Sequence, residues 1–156
     1  MEGKRAEESR VEIAQLMMPQ DANPSGNVHG GAIMRLVDNA AALAAIRHAR
    51  KNVVTASIDH LDFLTPVYIG DLVNLKASLN MAGTTSMEVG VRVEAENPQT
   101  GKVRHVASAY LTLVALNEKR LPTSVPPLIL ETEGEIRRSR EAVARRQMRF
   151  TQKHRE

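Results

Sequence analysis

The 156 residues include no cysteine and no tryptophan, and only two Phe and two Tyr. Without cysteine, disulfides, thiol nucleophiles and thiolate metal sites are excluded, and nothing points to an oxidising compartment. A cytoplasmic location is expected. Long apolar runs are also missing. The longest uncharged aliphatic stretch, Ala40 to Ile46, is far too short to span a bilayer, and the opening MEGKRAEESR is charged where a leader would be apolar. No membrane association is expected. The net charge is +3, carried by the tail: residues 131–156 hold eight Lys and Arg against five Asp and Glu, and the first 130 residues balance at thirteen of each. That tail interleaves Glu with Arg around the single aromatic Phe150, so it offers no stacking platform and no nucleic-acid partner is expected.

The length suits one domain with one core. Val11 to Met17 reads as a strand, ending in the turn-forming run DANPSGN. From Gly30 to about Arg50 there is no proline, and Ile33, Leu36, Val37, Ala40, Ala41 and Ala44 recur at helical spacing. Beyond residue 52 the period becomes two. Val73, Leu75, Ala77, Leu79 and Met81 alternate with polar residues, as do Met87, Val89, Val91, Val93 and Ala95, and the segments from Val53 to Leu64 and Val103 to Leu116 are β-rich. The joints Ala82-Gly83-Thr84 and Asn97 to Gly101 are too short for anything but antiparallel hairpins. This predicts an α+β domain over 1–130: one strand, one helix, then a four-stranded antiparallel meander whose apolar face the helix covers. Residues 117–130 read as a proline-spaced linker. The tail 131–156 is predicted helical, docking through Ile136, Val143 and Phe150, spaced by seven.

Asp38 is the most informative polar residue. Its helical neighbours Met34, Ala41, Ala42 and Ala45 are all apolar. It is either an exposed carboxylate paired with Arg35 or Arg47, or a functional base. Gly30-Gly31 opens the helix, where free N–H groups and the helix dipole favour an oxygen gaining negative charge; an ordinary turn is the plainer alternative. Asn23, before Pro24, is suited to capping a turn or holding a water. His29 lacks a second ligand at metal spacing, so no metal is expected and the histidine reads as structural or substrate-orienting. His60 and Asp62 read as strand-face residues without a role.

The run MMPQDANPSGNVHGGAIMRLVDNAA resembles the signature of the hotdog acyl-coenzyme A hydrolases, the group of bacterial short-chain thioesterases and the cytosolic brain-type hydrolase. DFLTPVYIGDLV, TTSMEV and VPPLIL extend the likeness. The resemblance implies a long helix wrapped by an antiparallel sheet, dimers with a continuous sheet, and a homohexamer built as a trimer of dimers. It implies a fatty acyl-coenzyme A thioesterase with Asn23 and Asp38 as the catalytic pair and Gly30, Gly31 and His29 at the oxyanion and substrate end. Asp38 would act as general base, or as nucleophile through a mixed anhydride. Thr84, Thr85 and Ser86 would be coenzyme A contacts. No cofactor is implied, coenzyme A being part of substrate and product. A hotdog dehydratase or hydratase and a non-catalytic acyl-coenzyme A sensor are the rival readings.

Overall fold

The computed structural model describes residues 1–155, with side chains through Lys153; Glu156, the end of the expected tail, lies outside the described residues. The helix α1 runs Gly30–Ala49. It ends where Arg50 takes a left-handed φ of 53° and returns its N–H to the Ile46 carbonyl. Arg47 occupies its last turn, where the partial negative charge of the helix end favours a cation. The inner stripe Ile33, Val37, Ala40, Ala41, Ala44 and Ala45 is sealed from solvent. Four alanines in that stripe let the helix backbone approach its cover closely.

That cover is a five-stranded antiparallel sheet. Its strands are β2 (Val11–Leu16), β3 (Asn52–Phe63), β4 (Leu72–Ala82), β5 (Ser86–Glu96) and β6 (Val103–Leu116), in spatial order β2-β4-β5-β6-β3. Alternation puts Val73, Leu75 and Ala77 of β4, Val89, Val91 and Val93 of β5, and Ala109, Leu111 and Leu113 of β6 against α1. The hairpins β4–β5 and β5–β6 form as predicted. The four-stranded meander does not: β3 lies beyond β6, at the far edge from β4. The connection 64–71 is long enough to cross beneath the start of α1, where Val67 accepts from Val28 N–H and the Gly70 N–H reaches the Met17 carbonyl. β3 is thus a twelve-residue edge strand in the single chain.

The expected linker holds a short strand. β7 (Leu128–Ile129) pairs in parallel with β1 (Lys4–Arg5), closing the end of the molecule where α1 finishes. There His48 is fully buried and its Nε2–H donates to the Pro126 carbonyl at 2.7 Å. Burial pushes its pKa below the ordinary histidine range, partly offset by that hydrogen bond, so the ring is neutral at pH 7. Among the described residues no helix is long and apolar enough to cross a membrane.

The tail is helical, as α2 (Glu133–Arg155), but the expected docking seam is wrong. Ile136, Val143 and Phe150 remain 43%, 41% and 52% exposed. The face that docks is Ala142, Arg145 and Arg149, because the outer surface of the sheet is polar and calls for ion pairs. Arg145 grips Glu88 with two bonds of 2.8 and 2.7 Å, its guanidinium stacks 3.7 Å above the Tyr110 ring, and Asn80 Nδ2 donates to the same carboxylate. Arg149 pairs with Asp59 of β3. Glu88 is only 1% exposed, so losing its cation strands a buried charge. Arg145→Ala should therefore cost about 3 kcal/mol in urea unfolding, against under about 0.5 kcal/mol for Ile136→Ala; comparable losses would return the docking role to the apolar seam.

Candidate active site

Asn23 organises the loop before α1. Its Oδ1 accepts from Ser25 N–H at 3.0 Å and Asn27 N–H at 3.2 Å, and its own N–H donates to the Asn27 carbonyl at 2.7 Å. Both acceptor positions are occupied, while Nδ2 has no hydrogen-bond partner among the described residues. Asn23 therefore caps the turn with one end of its amide and leaves two N–H groups for something else.

His29 is the N-cap of α1. Its N–H donates to the Asp21 carbonyl at 2.7 Å, and its Nδ1 accepts from Gly31 N–H at 3.0 Å. The Gly31 donor expected for an oxyanion is thus engaged in this structure. Gly30 N–H, one residue earlier, has no partner among the described residues. Neither glycine has a Cβ to intrude: one at Gly31 would press His29 Nδ1 at 3.2 Å, and one at Gly30 would touch the Phe63 ring at 3.7 Å. Asn23, Gly30, Ile33 and Phe63, with Thr65 and Val67 from the crossing connection, line one cleft of about 360 Å³.

Asp38 does not line that cleft. It is half-buried on the side of α1 facing β3, and Thr55 of β3 donates its hydroxyl to Asp38 Oδ1 at 2.6 Å. Among the described residues no arginine lies within ion-pair distance, so the alternative partners Arg35 and Arg47 are not used; Arg47 instead donates to the Arg10 carbonyl. Eight residues of α-helix separate Gly30 from Asp38, a rise of roughly 12 Å. The cleft holding Asn23 and the Asp38 carboxylate are therefore two separate places within one chain.

Thr84, Thr85 and Ser86 form the β4–β5 hairpin, held by Gly83 N–H to the Ser86 carbonyl and by Thr84 and Thr85 carbonyls accepting from Val125 and Ala115. Met87, the next residue, is in register with Leu113, and Leu113 with Thr55. The hairpin thus lies level with Asp38 and Thr55, while the Asn23 cleft is level with Phe63, Ala107 and Val93. Thr55 was not singled out from sequence. A threonine in a strand is an ordinary β-former, and its partner lies seventeen residues away on another element. Among the described residues no cluster of three His, Asp or Glu could hold a metal.

The thioesterase superfamily model matches residues 25–102. An uncharacterized acyl-CoA thioester hydrolase of Bacillus subtilis is 39% identical over 92% of this chain and 84% of its own. A hexameric acyl-CoA thioesterase crystallised without ligand superposes with a TM-score of 0.93 at 38% identity, over 97% of both chains. The acyl-CoA hydrolase of Staphylococcus aureus, solved with butyryl coenzyme A, has a TM-score of 0.87 at 35% identity over 97% of this chain and 94% of that one. Variants of the latter with single asparagine, aspartate and threonine residues replaced by alanine have also been solved. Those three residues are separated by fifteen and then seventeen positions, the spacing of Asn23, Asp38 and Thr55 here.

The two ends of the Asn23 amide can be separated experimentally. Asn23→Ala removes two turn hydrogen bonds and should cost about 1–2 kcal/mol of stability, whereas Asn23→Asp keeps the acceptor and should cost under about 0.5 kcal/mol while still lacking the Nδ2 donor. Equal destabilisation in urea melts would mean that the acceptor does not hold the loop.

Proposed function

This chain belongs to the thioesterase superfamily, and from that premise we propose that it is a hydrolase of fatty acyl-coenzyme A, releasing free acid and coenzyme A with Asp38 as the base. The observation that carries the reading is the carboxylate of Asp38, held by Thr55 at 2.6 Å and left without a cation. A carboxylate fixed by one neutral donor keeps a free oxygen to accept a proton from water. Water attacks the thioester carbonyl as Asp38 takes its proton. The carbonyl oxygen becomes an oxyanion, and collapse of the tetrahedral species breaks the C–S bond, with the proton passing to the departing thiolate. Attack by Asp38 itself, forming a mixed anhydride that water then opens, uses the same geometry.

The oxyanion falls to the N-terminal turn at Gly30-Gly31, where the dipole of a twenty-residue helix and the unpaired Gly30 N–H favour negative charge. His29 caps that turn and keeps the donors aimed, and Asn23 Nδ2 orients water or substrate across the cleft. Thr55 is a positioning residue for Asp38. Thr84, Thr85 and Ser86 serve as contacts for the pantetheine arm.

The thioester carbonyl must lie about 3 Å from the oxyanion donors and one water away from the base, which a single chain with roughly 12 Å of helix rise between them does not supply. We therefore assign each site to two subunits, with Gly30 and Asn23 from one and Asp38 and Thr55 from the other. The exposed Met34 lies midway between Gly30 and Asp38, so a twofold axis there would bring antiparallel copies of α1 into that pairing. The free edge β3, with Ile58 and Phe63 40% and 46% exposed, suits a sheet continued into that second copy. Assembly of such dimers into a hexamer follows the hexameric relative, and a cytoplasmic location follows the cysteine-free composition.

Asp38→Asn keeps the Thr55 contact and removes the base. Coenzyme A release, read with a thiol reagent over a panel of acyl lengths, should drop about a hundredfold to ten-thousandfold with folding unchanged. Near wild-type turnover would reduce Asp38 to a structural carboxylate.

A further inference from the structure

The side of the sheet facing away from α1 carries a second concavity, a groove of about 450 Å³ between the strands and the start of α2. Four cations line it from four places: Arg10 ahead of β2, Lys76 on β4, Arg92 on β5 and Arg138 on α2. The hydroxyls of Ser78 and Ser108 stand among them, and among the described residues no carboxylate lines the groove. Glu94, at its rim, lies 3.0 Å from Lys76 Nζ and 3.9 Å from Arg92 Nε. The Lys76 contact, with the surrounding positive charge, holds the Glu94 pKa below its ordinary value, and Glu12 stands opposite Lys76 in register, so two negative charges face four positive ones. Of the other carboxylates on this face, Glu88 is engaged with Arg145, Asp59 with Arg149, and Glu12 accepts from Asn74. The guanidinium groups of Arg10 and Arg138 have no carboxylate partner among the described residues.

Four like charges drawn into one depression repel, and the field between them concentrates anions. Gly90, in register with Ser78 on one side and Tyr110 on the other, makes room for the Asn80 amide, which a Cβ there would strike at 2.9 Å from Nδ2. The Tyr110 ring already carries Arg145 on one face, so charge and hydroxyl donors characterise the groove more than aromatic stacking does. Arginine forks with serine hydroxyls match phosphate oxygens in geometry and charge, and the excess of positive charge suits more than one phosphate group.

We propose that this groove is a binding site for a polyphosphate anion, separate from the Asp38 site because it lies on the opposite face of the sheet. Two sources share that chemistry: a free polyphosphate ion, and the phosphates of a coenzyme A held by a neighbouring subunit. The second source rests on the hydrolase reading; the site itself does not.

The test is calorimetric titration of the whole protein with inorganic pyrophosphate at fixed ionic strength. Arg92 is half exposed and Arg138 is on the surface, so Arg92→Gln/Arg138→Gln should fold normally and bind pyrophosphate at least about tenfold more weakly than wild type. Asp38→Asn should bind it as wild type does, which separates failure of this site from failure of the catalytic reading. Lys119→Gln/Arg120→Gln, removing two cations from the opposite end of the molecule, should also leave binding intact. If the groove variant raises KM for acyl-coenzyme A with kcat unchanged, the natural anion is the coenzyme A phosphates; if KM is unmoved while pyrophosphate affinity falls, it is a free anion. The proposal is overturned if wild type and groove variant bind pyrophosphate equally, if the Lys119/Arg120 control weakens binding as much, or if wild type shows no binding while the groove variant changes native mass, which would make the groove a contact between copies.

Discussion

The structure depends on how closely a single helix can be wrapped. Ala40, Ala41, Ala44 and Ala45 bring the α1 backbone against β4, β5 and β6, and every position of that stripe is dry. A larger side chain there would lift the helix from the sheet, at the 1–3 kcal/mol typical of overpacking. Because this face is fixed, the rest of α1 is fixed too. His29 caps one end, Arg50 turns the chain at the other, and Asp38 meets Thr55 of β3 at 2.6 Å. Gly30, Gly31 and Asp38 are thus mounted on a helix whose inner face is fully packed.

The same rigidity divides the chemistry. A helix cannot be shortened, so Gly30 and Asp38 remain about two turns apart, which is why the proposed site draws on two copies of α1. The outer face of the sheet follows the reverse design. Its polar residues hold α2 by Glu88–Arg145 and Asp59–Arg149 pairs and leave other cations without partners. The two readings proposed above would give this small domain a substrate site on one face of the sheet and an anion site on the other.

Much of this was legible because burial leaves a periodic trace. The 3.6 period of Ile33 to Ala44 marks α1, and the alternations of β4 and β5 mark both strands to within a residue. Strand order was not legible. Nothing local in β3 says that it pairs with β6 and not β4; that choice is made by the connection 64–71 binding the loop around Met17 and Val28. The docking face of α2 was misread for a similar reason: Ile136, Val143 and Phe150 form the more conspicuous stripe, yet the surface opposite is charged, and Glu88 lies 57 residues from its Arg145 partner. Asp38 and Asn23 stood out by their settings, an apolar stripe and a turn before proline. Thr55 did not, since only the folded chain brings it to Asp38, and the engagement of Gly31 by His29 is likewise a matter of side-chain geometry.

The central claim is that each working site takes Asn23 from one chain and Asp38 from another. Mixed dimers of Asn23→Ala and Asp38→Asn chains, co-expressed with distinct tags and purified through both, test it most directly. Each variant alone should be nearly inactive. In the mixed dimer one site carries both substitutions and the other neither, so the account predicts recovery of close to half the wild-type activity per dimer. Mixed dimers as inactive as either parent would place both residues of each site in one chain and contradict it.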